Sequence, residues 1–158
     1  MNERNETLHD ELKRTRPFRS PTEEATVAIL RTADVLRRRF AAVVAPYGIT
    51  PQQYNVLRIL RGARGKPLCT LAIGSRLIEQ TPGVTRLLDR LERKGLVRRE
   101  RCAQDRREVH CFITPAGLEL LDRLDPAFEE AEDAALRGLD DDEVDGLLDR
   151  LARIRAAE

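Results

Sequence analysis

Apolar residues recur at three- and four-residue spacing over most of this chain. Val27, Leu30, Ala33, Leu36, Phe40, Val43 and Tyr47 mark one long amphipathic helix. Ser20-Pro21-Thr22-Glu23 opens it: Ser20 offers a capping oxygen, Pro21 suits the first helical position, and Glu23 completes a capping box. Pro46-Tyr47-Gly48 ends it. Thr50-Pro51-Gln52-Gln53 repeats the start signal, and a second helix carries Tyr54, Leu57 and Leu60 as far as Gly62. A Gly-containing turn spans 61–67. A third helix is expected over 70–78, with Leu71, Ile73 and Leu77 apolar. A fourth runs over 82–94, capped by Thr81 or Gln80, with Leu87, Leu88 and Leu91 facing the core. Gly95 suits the left-handed position that stops it.

The period then changes. Residues 96–101 are extended and basic, and 102–106 form a polar turn. Over 108–113, Val109, Cys111 and Ile113 alternate with His110 and Phe112, which reads as the return strand of an antiparallel hairpin. Thr114-Pro115 opens a fifth helix with Leu118, Leu121, Leu124 and Phe128 on one side. Residues 140–143 give an acidic first turn to a last helix carrying Val144, Leu147, Leu148, Leu151 and Ile154. Residues 1–19 are polar and fit either a short helix over 7–13 or a mobile arm. The pattern predicts a mainly α fold with a small β-hairpin.

Composition agrees: of 158 residues 41% are hydrophobic but only 4% aromatic, so the core is aliphatic and helical. The net charge of +1 hides a division along the chain. Residues 1–57 hold nine Lys/Arg against seven Asp/Glu, 58–114 fourteen against six, and 115–158 five against fourteen. A basic middle between neutral and acidic flanks suggests a localised anion-binding face. No apolar run approaches twenty residues and no signal-peptide pattern opens the chain, so a cytoplasmic protein without a membrane partner is expected. Cys69, Cys102 and Cys111 are odd in number and irregularly spaced, which argues for reduced thiols.

Helix, tight turn, capped helix and hairpin in succession make a winged helix-turn-helix, whose second helix enters the DNA major groove. That helix would present Thr81, Pro82, Gly83, Thr85, Arg86 and Arg90 outward. Arg86 can pair bidentately with guanine, and the helix N-terminus can receive a phosphate. Arg98, Arg99, Arg101, Arg106 and Arg107 crowd the hairpin, which a purely structural ribbon does not need.

Residues 81–97, TPGVTRLLDRLERKGLV, then Asp105-Arg106-Arg107, then Phe112-Ile113-Thr114-Pro115-Ala116-Gly117, resemble the MarR (multiple antibiotic resistance regulator) family over about residues 25–155. The resemblance implies a homodimer on a palindromic double-stranded operator, most often a repressor, with N- and C-terminal helices interleaved for dimerisation. It divides the chain into an arm (1–19), a dimerisation helix (20–50), a winged helix-turn-helix domain (51–114) and C-terminal dimerisation helices (115–158). Arg107 maps to the hairpin-tip arginine of the minor groove, Asp105 to the acid that positions the hairpin arginines, and Thr85 and Arg86 to the recognition region. It further implies a small aromatic or phenolic ligand, with Phe40, Tyr47 and Tyr54 as candidate wall residues. The chain departs from the family at Cys69, at Gly74 inside the third helix, and at Gln80.

Rival readings are weaker. No nucleophile elbow, P-loop or zincin motif supports an enzyme, and no cofactor motif is present. His9, His110 and the scattered thiols show no metal-site spacing, so no metal is expected. A helical protein-interaction module leaves the hairpin arginines unexplained. A thiol redox sensor of the same fold would act through Cys102, at the basic turn, or through Cys69, at a helix N-terminus. Cys111 is expected to be a small buried hydrophobe.

Overall fold

A computed structural model describes residues 8–102 and 108–156 and divides the chain into two compact units, residues 1–39 and 40–158. Helix α1 (Pro21–Val44) runs through both. In the first unit, a helical turn at 8–11 precedes α1, within the 7–13 span where a short helix is one alternative. Arg31 of α1 reaches Glu11 at 3.4 Å. The Ser20 hydroxyl accepts the amide of Glu23 at 3.1 Å, as a cap should. The Glu23 carboxylate differs from expectation: it accepts the Arg19 amide at 2.7 Å and the Arg19 guanidinium at 3.1 Å. Reaching one residue further back also gains a charge, so the box opens.

In the second unit, α1 ends in a 3-10 turn (Ala45–Tyr47) closed by Gly48 at φ +67°. Helix α2 (Pro51–Gly62) begins with the full expected capping box between Thr50 and Gln53. Then follow β1 (Leu68–Cys69), α3 (Thr70–Gly74), α4 (Val84–Arg93), β2 (Val97–Arg101), β3 (Val109–Ile113), α5 (Pro115–Leu136) and α6 (Asp141–Arg155). The strands form one antiparallel sheet in the order β1-β3-β2. Sequence reasoning found the hairpin but not β1, because two residues are too short to show an alternation.

The core joins α2, α4 and α5 to the sheet: Val56, Leu57, Leu60, Ile73, Leu88, Leu91, Val97, Cys111, Leu121 and Leu124 are all essentially inaccessible. Two readings of element faces are corrected. The third helix stops at Gly74 rather than 78, where glycine disfavours continuation, and Leu71 is 83% exposed. On α5 the buried face is Gly117, Leu120, Leu121, Leu124, Phe128 and Ala131, while Leu118 lies outside it. Gly117 is there because α5 starts against the sheet. A Cβ at that position would sit 2.4 Å from the Leu96 carbonyl and 2.7 Å from Ile113. Thr114 fixes the same junction, accepting the Gly117 amide at 3.1 Å and donating to the Gly95 carbonyl at 2.6 Å.

Helix α6 has a capping box between Asp140 and Glu143, yet none of its residues is buried. Leu148 and Ile154 are more than half exposed. In the first unit Ile29 and Leu30 are likewise exposed. No helix among the described residues is long and apolar enough to cross a membrane.

Candidate nucleic-acid interface

Helix α4 is held by its apolar face. Leu87, Leu88 and Leu91 are buried, and the strong separation of sides leaves Thr85, Arg86, Arg90 and Arg93 outward at helical spacing. Arg86 and Arg90 meet no acid within salt-bridge distance among the described residues. The link from α3 is pinned twice: Leu77 is buried, and the Ile78 amide donates to Asn55 of α2 at 3.0 Å. Two tight tethers orient α4 as a rigid helix-turn-helix requires.

The start of α4 differs from the expected one. The helix begins at Val84 with Gly83 as N-cap, and no side chain caps it. Pro82 lies in the preceding turn, and the Thr81 hydroxyl accepts the Gly83 amide at 3.4 Å instead of one from inside the helix. A proline followed by glycine favours a tight turn over an early helical start. The first-turn amides are therefore free of side-chain competition. Pro82 is exposed and Thr81 and Gly83 are half-buried, so all three sit at the outward N-terminal end.

Arg98 and Arg99, neighbours on β2, part company. Arg99 is clamped to α4: its guanidinium meets Glu92 at 2.6 and 2.9 Å and Asp89 at 2.7 Å, while its amide donates to Glu92 at 3.1 Å. Hydrogen bonding to Arg99 holds the Glu92 carboxyl below its ordinary range, and the same bond pushes Arg99 up. Arg98 lies on the other side of β2, half-exposed, paired with Glu100 and stacked 4.5 Å from the Phe112 ring centroid. Asp105, Arg106 and Arg107 lie outside the described residues.

Arg90, Arg93 and Lys94 line a cleft of about 350 Å³ with Gly48, Thr50 and Gln53. Arg93 and Lys94 were absent from the sequence-based site, although Arg86, Arg90 and Arg93 follow a four-then-three spacing that could have revealed Arg93. Elsewhere the basic excess is locally cancelled: Arg61 forms a bidentate pair with Asp125 at 2.6 and 3.0 Å.

Of the candidate ligand residues, Phe40 and Tyr54 come together. Tyr54 stacks on Phe128 at 3.8 Å between centroids, and Phe40 packs on the same ring at 5.4 Å. Sequence reasoning placed Phe128 in the core but not in this cluster. The Tyr54 hydroxyl is buried with no hydrogen bond of good geometry among the described residues; burial pushes its pKa up, and the neighbouring Arg58 guanidinium opposes that. Tyr47 is not in the stack; it is partly exposed, with Arg123 5.8 Å from its ring.

Among the thiols, Cys111 is fully buried, which pushes its pKa up, as a small core hydrophobe should. Cys69 is half-buried and sits at the N-cap of α3 without a side-chain capping bond. Cys102 is half-buried at the end of β2, its amide donating to the Glu108 carbonyl at 2.9 Å. Linear spacing shows no metal motif, but it does not report what strand pairing brings together. Folding brings donor atoms of Cys102, Glu108 and His110 within 4.8 Å of one another. The antiparallel rung sets Cys102 beside Glu108, a proximity that linear spacing hides.

Residues 49–109 match the MarR family model. The chain is 37% identical over 102 residues to an uncharacterized HTH-type transcriptional regulator, YkoM, of Bacillus subtilis, spanning 65% of each chain. It is 35% identical over 128 residues to the HTH-type transcriptional regulator TtmR of Methylorubrum extorquens, covering 81% of this chain and 64% of that one. The alignments thus span a little under two thirds of those relatives' length. Among solved structures, a MarR transcription factor from Planctomyces limnophilus is 36% identical with a TM-score of 0.68, covering 87% of this chain and 98% of that one.

Proposed function

The chain belongs to the MarR family, and on that premise we propose that it is a sequence-specific, double-stranded-DNA-binding transcription regulator acting as a homodimer. The observation that carries the reading is the outward face of α4, where Thr85, Arg86, Arg90 and Arg93 stand clear of the core on a helix fixed from behind. Arg86 and Arg90 are placed for base edges, and the uncapped first-turn amides for a phosphate. Arg98 faces the backbone, and Arg106 and Arg107 extend the contact into the neighbouring groove, oriented by Asp105. Arg99 serves differently from the phosphate contact expected of it: it locks the hairpin to α4 so that both present one surface.

The exposed apolar residues of α1 and α6 support the dimer. Exposed leucines and isoleucines along one helix are the kind of surface a second copy covers. A two-fold dimer calls for a palindromic operator with half-sites about 10 bp apart, centre to centre.

Repression relieved by a small aromatic or phenolic ligand is the mode the family suggests. The buried Tyr54 hydroxyl in a stack of three aromatic rings, with only the Arg58 guanidinium near it, supports it, because a buried hydroxyl gains from a carboxylate or phenol acceptor. Calorimetry with a panel of aromatic acids reads this directly, with Tyr54→Phe as the comparison. Weakened uptake in the variant is expected, and equal uptake removes Tyr54 from the site.

Selection from a random duplex pool, followed by anisotropy titration over a range of salt, tests the main reading. A palindromic consensus with steep loss of affinity on adding salt is expected. Absence of saturable binding at low salt overturns it.

A further inference from the structure

The donors gathered at the end of the hairpin belong to no part of the reading above. Cys102 closes β2, Glu108 precedes β3, and His110 lies within β3. Strand pairing opposes Glu100 to His110 and Arg101 to Val109, and the next rung joins Cys102 to Glu108. Residues 102, 108 and 110 therefore share one face of the ribbon. That face is opposite the one buried through Val97 and Cys111. The His110 Nε2 already stands 3.7 Å from the Glu108 carboxylate. His110 and Cys102 are half-buried and Glu108 is exposed, so a cation from solvent has access.

We propose that Cys102, Glu108 and His110 form a binding site for a borderline-soft divalent cation, zinc above all. Thiolate, imidazole and carboxylate are the donor types zinc takes, and thiolate plus imidazole disfavours magnesium and calcium. Bond lengths of about 2.0–2.3 Å in a tetrahedron put ligand atoms roughly 3.3–3.7 Å apart. The donor atoms lie within 4.8 Å of one another, about 1 Å beyond that spacing. Charge also balances: a thiolate and a carboxylate neutralise the dication, and the Cys102 proton leaves to solvent. Three protein ligands leave the fourth position to water.

The site has a consequence that rests on the DNA-binding reading. Cys102 and Glu108 bracket the five residues that include Asp105, Arg106 and Arg107. A metal there turns the neutral thiol and the single negative charge of Glu108 into a neutral thiolate–carboxylate–cation group. The basic hairpin then presents one unit less negative charge to a polyanion. Metal loading raises DNA affinity about two- to tenfold, the scale of one unit charge near the phosphates.

Cobalt(II) titration of the full chain, without DNA, tests the site. One equivalent per chain with a thiolate-to-cobalt charge-transfer band, displaced by zinc, is expected. The band is lost in Cys102→Ser and affinity falls by more than about 100-fold in His110→Gln and Glu108→Gln, a larger effect than losing a supporting residue. It survives in Cys69→Ser, at the position paired with His110 on the neighbouring strand. No saturable band, or a band that depends on Cys69 and not on Cys102, overturns the proposal. Circular dichroism guards against misfolding, and His110→Gln and Glu108→Gln keep the test alive if Cys102→Ser unfolds.

Anisotropy with the selected duplex, with and without zinc, then reads the coupling. Unchanged affinity on loading overturns the coupling. A chain that binds zinc but no DNA in either state instead removes the transcriptional reading and leaves the metal site standing.

Discussion

Helices α4 and α6 are both short, charged and amphipathic, yet the fold treats them oppositely. On α4 the apolar side chains Leu87, Leu88 and Leu91 are 7%, 0% and 0% exposed. On α6 Leu148 and Ile154 remain 58% and 57% exposed. Helix α4 is thus completed by its own chain, against α2 and β2, and its other face is free for a polyanion. Helix α6 has a weaker apolar stripe, and its own chain leaves none of that stripe buried. A helical apolar pattern marks a core contact in one place; in the other it leaves apolar side chains exposed, the surface that the proposed dimer would cover. What separates them is charge: α4 turns Arg86, Arg90 and Arg93 outward, whereas α6 begins with Asp141, Asp142 and Glu143. An acidic end is unsuited to phosphate and suits a face turned away from it.

The largest expected effect strikes the α4 side. Leu91→Ala leaves a cavity among fully buried neighbours and should cost about 2–5 kcal/mol. Denaturant unfolding should show the loss at every protein concentration. Leu148→Asp should behave in the opposite way. The single-chain core stays intact, but the apolar stripe of α6 is broken, so sedimentation should show a shift from dimer to monomer at micromolar concentration. An unchanged dimer would mean that α6 does not form the subunit contact.

A smaller effect lies in the clamp between α4 and β2. Glu92 has a depressed folded pKa, so its contribution to stability is full above the ordinary carboxylate pKa. It is lost as pH falls through the lower, folded value; Arg99 stays charged throughout. Unfolding midpoints should therefore drop on acidification below the usual carboxylate range. Glu92→Gln should remove part of that slope, and an unaltered slope would contradict the clamp.

Much of this was legible in the sequence, and the exceptions share a cause. Start signals at Thr50, at Thr114 and in the acidic run 140–143 are local, and each helix start they mark is observed, Asp140 being the N-cap rather than a first-turn residue. Helical period found the inward leucines of α4 because three residues at that spacing admit one face. It failed for Leu118, where Gly117 takes the inner position because α5 must approach the Leu96 carbonyl closely. The crowding of arginines on the hairpin did not reveal that Arg99 is held by Asp89 and Glu92, because those acids come from another element. The donor group of Cys102, Glu108 and His110 was invisible for the same reason: strand register, not spacing, brings it together. Pairings across elements are what a linear pattern carries least.

The central claim is that the outward face of α4 reads DNA sequence, and binding-site selection on wild type and Arg86→Ala tests it most directly. The account predicts a folded dimer in both, a palindromic consensus for wild type, and relaxed preference at one position in each half-site for the variant. The loss at that position should be about 1–3 kcal/mol. An unchanged preference profile in the variant would contradict the assignment of α4 as the reading helix.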